Sequence, residues 1–245
     1  MRITEFGSVD DLARAVVARI GEVVSGNPRA VIGWPSGRTT VPVLHEIARS
    51  GWHGAFRDAT IVMMDDYAFP DGDGYSNCDP AAHYSCQTWI ETELAPALGG
   101  SRVLVPDAAC PADYENRIAD AGGIDLFLVG VGASDAHIAF NPPGTPADSI
   151  TRVIELADST RRDNLGTFPQ FGSLTEVPRH GVTVGLATIT SARAVIGIAH
   201  GPGKAGAAQR VLDAGGFTPD LPATALYLHP DAEFMMAAIN GEEQS

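Results

Sequence analysis

Ile124-Asp125-Leu126-Phe127-Leu128-Val129-Gly130-Val131-Gly132-Ala133-Ser134-Asp135-Ala136-His137-Ile138-Ala139-Phe140-Asn141-Pro142-Pro143-Gly144 decides how the chain folds. The first six residues form a largely apolar run without alternation, the pattern of a parallel strand covered on both faces. Gly130 and Gly132 then permit a tight turn and a close approach to a ligand. Asp135 and His137 follow at the carboxyl end of that strand, where open α/β sheets bind their ligands. A carboxylate and an imidazole two residues apart can orient one another for proton transfer. The same pair also suits a plain surface turn.

Outward from this stretch, apolar runs alternate with helical patterns. Ser8 can cap a helix whose first turn holds Asp10 and Asp11, and whose apolar positions run from Leu12 to Val24. Ala30–Trp34 reads as a buried strand and Val41–Ser50 as a helix. Between them lies Pro35-Ser36-Gly37-Arg38-Thr39-Thr40. Strand, Gly/Ser/Thr loop, helix is the layout of an anion cradle, and equally of an ordinary βα turn. Neither a P-loop lysine nor a G-x-G-x-x-G spacing is present, so no nucleotide is expected.

Thr60–Met64 is a further apolar strand, closed by Asp65-Asp66-Tyr67. Successive side chains there point opposite ways, so one carboxylate can face a site while the other faces loops. Phe69–Ala82 reads as a long exposed loop. A helix is expected over His83–Leu94, ending before Pro96. A short strand over Arg102–Val105 and a helix over Cys110–Ala121 follow. Arg152–Leu156 is a candidate strand, and the polar segment 158–177 reads as a lid or flap. Val182–Leu186 and Ala194–Ala199 read as buried strands, Ala205–Ala214 as a helix with Lys204 at its start, and Ala225–Pro230 as a last strand. The alternation predicts one α/β domain over 1–245: a single doubly wound, mostly parallel, Rossmann-like sheet with helices on both faces.

With 245 residues, 44% of them hydrophobic, the chain can bury a sizeable core. A net charge of −14 disfavours nucleic acid and anionic membranes, so an anionic ligand needs a local basic site. The three cysteines, Cys78, Cys86 and Cys110, show no C-x-x-C spacing and point to a reducing compartment. Charges at Arg2, Glu5, Asp10 and Asp11 argue against a signal peptide, and no apolar run approaches membrane-spanning length. A soluble cytoplasmic protein is expected.

Six stretches in this order resemble the glucosamine-6-phosphate deaminase/isomerase family, of the superfamily shared with 6-phosphogluconolactonases. Gly33-Trp34-Pro35-Ser36-Gly37-Arg38-Thr39 is similar to its phosphate loop, and Met64-Asp65-Asp66-Tyr67 to its M-D-E-Y. Ile124–Phe127 through Asp135–Asn141 is similar to its I-D-L-F…D-G-H-I-A-F-N. Thr151-Arg152-Val153, Gly201–Ala205 and Leu228-His229-Pro230 complete the set. The resemblance implies that Asp65 is the base moving a proton between C2 and C1. It implies that His137 assists ring opening, with Asp135 orienting it, and that Ser36, Gly37, Thr39 and Lys204 bind phosphate. The implied ligand is a small sugar phosphate, with neither metal nor other cofactor required. Self-association is compatible with this reading.

The chain departs from the family pattern inside the implied site. Pro142 replaces a ring-opening glutamate, Ala136 replaces a glycine, Ser134 is an extra residue, and a phosphate-binding arginine falls near Gly166. Arg38 replaces a glycine and can supply that charge from another direction; Arg161 and Arg162 are also near. Two other functions compete with the isomerase/deaminase: a sugar-phosphate lactonase in which His137 activates water, and a catalytically decayed sugar-phosphate-binding protein. Against the lactonase, Tyr67 stands where lactonases carry an arginine, and Ala139-Phe140-Asn141 follows the deaminase branch.

Overall fold

The computed structural model describes residues 1–238, apart from the side chain of His53. Seven parallel strands form the main sheet: β1 (Arg2–Phe6), β2 (Val31–Trp34), β3 (Thr60–Met63), β6 (Arg102–Leu104), β7 (Leu126–Gly130), β10 (Ala194–His200) and β11 (Ala232–Ala237). Their order is β1-β11-β10-β7-β2-β3-β6. A second sheet, antiparallel and in the order β5-β4-β9-β8, contains β4 (Asp65–Asp71), β5 (Gly74–Asn77), β8 (Arg152–Glu155) and β9 (His180–Thr183). The helices are α1 (Val9–Gly26), α2 (Val41–Ser50), α3 (Cys86–Trp89), α4 (Ala95–Leu98), α5 (Pro111–Asp120), α6 (Asp158–Thr167), α7 (Leu186–Thr190) and α8 (Ala205–Ala214).

The lack of alternation in the strands has a direct cause. In β7, Phe127 and Val129 belong to one buried cluster, and Leu126 and Leu128 to the cluster on the opposite face. Both faces are covered, so every position is apolar. Ser8 caps α1 by accepting from the Asp11 N–H at 3.1 Å. The doubly wound parallel sheet expected from sequence is thus present, and among the described residues no helix is long and apolar enough to cross a membrane. Cys78 and Cys86 are buried and Cys110 is exposed, all as free thiols.

Several local expectations are corrected. Residues 69–82 are not one exposed loop: β4 and β5 form a hairpin through Asp71-Gly72-Asp73-Gly74. The Gly and Asp content belongs to its two-residue turn, where Gly72 has φ +58°. The helical run crosses Pro96: Ser85 caps α3, a π-turn spans Ile90–Leu94, and Pro96 enters at the first turn of α4, where its missing N–H costs little. Val182–Leu186 is not one strand but the end of β9 and the start of α7. Ala225–Pro230 is not a strand either; Pro222–Leu228 is a 3₁₀ helix, and the last strand is β11. A short apolar run does not reveal its own period. β1 and β11 escaped notice because polar groups face each other there: Glu233 accepts from Arg2 Nη2 at 2.7 Å and from Thr4 Oγ1 at 2.8 Å.

Two features of the topology create a site. Successive strands run outward from β2 to β3 and β6, then return to β7 on the other side of β2, so β2 and β7 flank a switch point. Immediately after β3 the chain leaves the parallel sheet at Met64, whose carbonyl accepts from the Val184 N–H at 2.8 Å, and enters the antiparallel sheet. Asp65 is therefore the first residue of β4, at the junction of the two sheets.

Candidate active site

A pocket of about 190 Å³ opens at the carboxyl ends of β2, β3, β7 and β10. It is at the small end for ligand sites, suited to a metabolite and not to a dinucleotide. Ser36, Gly37, Arg38, Thr39, Asp65, His137 and Lys204 all line it. Asp135 lies behind His137.

The loop after β2 lines the pocket from Pro35 to Thr39. Gly37 has φ +90°, a conformation that L side chains rarely adopt. Arg38–Thr40 makes one 3₁₀ turn into α2. Thr40 fixes the loop from beneath, accepting from Trp34 Nε1 at 3.2 Å and donating to the Pro35 carbonyl at 3.1 Å. Lys204 Nζ donates to Thr39 Oγ1 at 2.6 Å, and His200 Nε2 lies 3.0 Å from the Thr39 carbonyl. Burial pulls the Lys204 ammonium down to about 8; Asp163 partly offsets this and Arg38 adds to it. A buried cation with its pKa so lowered gains from an incoming anion. Arg38 is exposed, and a Cβ built on Gly166 would lie 3.4 Å from its Nη2. The guanidinium therefore occupies the space that a side chain at 166 would enter.

The two carboxylates after β3 are separated by the pleat of β4. Asp66 is held as structure: Oδ1 accepts from the N–H groups of Tyr67 (2.9 Å) and Cys86 (3.0 Å) and from Cys78 Sγ (3.4 Å). Its Oδ2 accepts from Asn77 Nδ2 at 3.0 Å. Asp65, only 7% exposed, has no comparable set of donors. Burial, then the adjacent Asp66 charge, raises its pKa from 3.8 to about 7, against a smaller opposing hydrogen bond from Ser36.

His137 is aimed by Asp135. Asp135 Oδ1 lies 2.6 Å from His137 Nδ1 and accepts the His137 N–H at 3.1 Å, while Ser159 Oγ donates to Oδ2. Burial raises the Asp135 pKa, but the His137 and Ser159 contacts outweigh it and bring it to about 2. An ionised Asp135 selects the tautomer with hydrogen on Nδ1 and leaves Nε2 as the acceptor in the pocket. A Cβ on Gly132 would lie 2.2 Å from the imidazole, so only glycine lets the ring rest against this backbone. Ala136 adopts φ +56° and Ala139 φ +50° to turn the chain here; each left-handed alanine costs about 1–2 kcal/mol.

The segment 158–177, expected as a lid or flap, supplies α6, an ordered wall of the pocket. The main residues missed from sequence are Ser159, Thr160, Asp163, Asn164 and Thr167 of α6, and Phe168 at its C-cap. Thr160 Oγ1 lies 3.4 Å from His137 Nδ1, and Asp163 accepts from the Ser134 N–H at 3.0 Å and from its hydroxyl. The available signal was a helix-length polar stretch, Asp158–Asn164, with no apolar stripe. Arg161 does not reach the pocket: it is buried, donating to the carbonyls of Leu174 (2.6 Å) and Val177 (3.0 Å). Pro142 does not line the pocket either.

Fold and site together define an α/β protein whose pocket, at the carboxyl ends of the parallel strands, gathers Asp65, Lys204 and a His137 paired with Asp135. More particularly, the chain belongs to the glucosamine-6-phosphate isomerase/6-phosphogluconolactonase family, whose model matches residues 5–235. It is 32% identical to a glucosamine-6-phosphate deaminase of Bacillus pumilus, covering 96% of this chain and 97% of that one. It is 36% identical to one of Pseudarthrobacter chlorophenolicus, covering 96% and 90%. A solved monomeric glucosamine-6-phosphate deaminase superposes with a TM-score of 0.84 at 27% identity over 98% of both chains. A 6-phosphogluconolactonase from Shewanella baltica superposes with a TM-score of 0.70 at 13% identity over 97% of both, a likeness of fold alone.

Proposed function

We propose that the protein is a sugar-phosphate isomerase/deaminase acting on a hexosamine or hexose 6-phosphate, as one domain in the cytoplasm. The observation that carries this reading is Asp65: a buried carboxylate with its pKa near 7, in one pocket with a cationic anion cradle. A general base is most effective when its pKa lies near the working pH. Its deaminase relatives support the same reading.

In this mechanism the Ser36–Thr39 loop, Arg38 and Lys204 hold the phosphate. His137 Nε2 takes the proton from the C1 hydroxyl and returns it to the ring oxygen as the C1–O5 bond breaks. Asp65 removes the C2 proton, and the electron pair forms a C1–C2 double bond as a solvent water gives a proton to the aldehyde oxygen; the hydroxide so formed takes a proton from the C2 amine or hydroxyl once C1 has been protonated. Asp65 then delivers its proton to C1. Where C2 bears nitrogen, the resulting imine is hydrolysed to ketose phosphate and ammonia. Where C2 bears a hydroxyl, the enediol gives the ketose directly. With Pro142 in place of the family's glutamate, ring opening falls to His137 and is slow. Asp163 is a further carboxylate at the pocket wall, besides the hydrogen-bonded Asp66, but Ser134 donates to both of its oxygens.

Lactone hydrolysis through a His137-activated water is the second reading, supported by the same Asp135–His137 pair. An NMR screen in deuterated water tests both, offering hexose and hexosamine 6-phosphates and 6-phosphogluconolactone. The expected result is solvent exchange at C2 or C1 with ketose formation, lost in Asp65→Asn. Rapid lactone hydrolysis that needs His137 but not Asp65 would overturn the isomerase reading. Binding of these sugar phosphates without exchange or turnover would leave a decayed binding protein.

A further inference from the structure

Two buried donors in the pocket wall have no protein partner among the described residues: Tyr67 Oη and Asn164 Nδ2. Tyr67 is 2% exposed and Asn164 is partly buried. Other polar groups at the pocket are paired within the protein: Lys204 with Thr39, His137 with Asp135, and Asp163 with Ser134. A buried hydroxyl or amide left unpaired lowers stability, so such groups persist where something outside the fold completes them.

The placement of Tyr67 says what that is. Residues two apart on a strand share a face, so Tyr67 lies beside Asp65 and opposite to Asp66. Its ring is clamped by Tyr84 and Phe140, both with centroids at 5.2 Å, and by Phe168 and Phe171, both at 6.4 Å. The phenol oxygen is thereby held in one position. Asn164 lies in the last turn of α6, its carbonyl accepting from the N–H of the C-cap residue Phe168, and both line the pocket. Asp163 and Thr167 lie on the neighbouring face: Asp163 acts on Lys204, and Thr167 Cγ2 lies 3.6 Å from a Cβ built on Gly37. One face of α6 thus meets the anion cradle while the next carries Asn164.

We infer that Tyr67 Oη and the Asn164 amide bind hydroxyl groups of the substrate's carbon chain, setting its register between the anion cradle and Asp65. This rests on the function proposed above. A phenol and a carboxamide each donate and accept, as a sugar hydroxyl does, and the aromatic rings packed on Tyr67 shield its side chain from water. The pair therefore discriminates a polyol phosphate from a bare phosphate.

Tyr67→Phe and Asn164→Ala test this, with affinities measured by titration calorimetry for inorganic phosphate and for glucitol 6-phosphate, an open-chain polyol that cannot isomerise. Each variant is expected to bind the polyol phosphate roughly 3–10-fold more weakly, the value of one neutral hydrogen bond. Inorganic phosphate should bind as in the wild type, and the melting temperature of unliganded Tyr67→Phe should be unchanged or higher. Unchanged polyol-phosphate affinity in both variants, with normal wild-type binding, would overturn the inference and leave the proposed function standing. Equal weakening toward both ligands would mark the two residues as mere wall and overturn it too. A wild type that binds inorganic phosphate but neither glucitol 6-phosphate nor any hexose or hexosamine phosphate would overturn both readings.

Discussion

Replacing Asp65 by asparagine separates catalysis from stability in opposite directions. The carboxyl has its pKa raised from 3.8 to about 7, so the folded protein holds a proton that the unfolded chain releases between those values. Stability then falls as pH rises through that window, because the native state binds more protons. At 1.36 kcal/mol per pKa unit, the full penalty above pH 7 is about 4 kcal/mol. Asparagine keeps the shape of the protonated acid and never ionises. Asp65→Asn is therefore expected to unfold at higher urea than the wild type at pH 8, by up to about 4 kcal/mol. That corresponds to a melting temperature higher by roughly 10 °C for a chain of this size. Near pH 4 the difference should vanish, since both side chains are then neutral when folded. C2-proton exchange should be lost at every pH, while inorganic phosphate binds as before. A stability difference between variant and wild type that does not change from pH 4 to pH 8 would refute the reasoning, as would exchange surviving in the variant.

The pH profile of kcat/KM should be bell-shaped, rising through about 7 as Asp65 ionises and falling above about 8 as Lys204 loses its proton; a profile flat from 6 to 9 would remove both roles. Arg38→Ala should weaken sugar-phosphate binding by roughly 10–100-fold, the loss of a charged hydrogen bond, and Arg38→Ala/Gly166→Arg should recover part of it, because position 166 opens onto the same space; equal affinity for glucose and glucose 6-phosphate in the wild type would sink the cradle altogether. Wild-type turnover of glucosamine 6-phosphate should be slow or a different sugar phosphate preferred, and Pro142→Glu tests the missing acid; a wild-type rate on the order of 10 per second or more would show that another carboxylate, Asp135 or Asp163, has taken its place.

Much of this protein is legible one segment at a time. The parallel strands around β7 announce themselves because covering both faces of a sheet demands an unbroken apolar run. The bounds of α2 and α8 follow from local periodicity and the glycine that ends each helix. The motif residues of the site also stand out locally, since each follows closely on a parallel strand: Ser36–Thr39 after β2, Asp65 after β3, His137 after β7 and Lys204 after β10.

What the sequence alone left undecided depends on partners far away in the chain. Which of two adjacent acids is free depends on Asn77, Cys78 and Cys86 converging on Asp66, which no local pattern encodes. The second sheet was not legible as a sheet because β9 joins β4 and β8 only across long gaps in the chain. β11 carries a glutamate whose partners lie more than 220 residues away, on β1. The polar helix α6 has no apolar stripe to mark it, and it acquires a role only when the fold lays it over His137 and the anion cradle. Periodicity records what a segment buries against its immediate surroundings. The identity of the groups that close a pocket from the other side is a property of the folded chain.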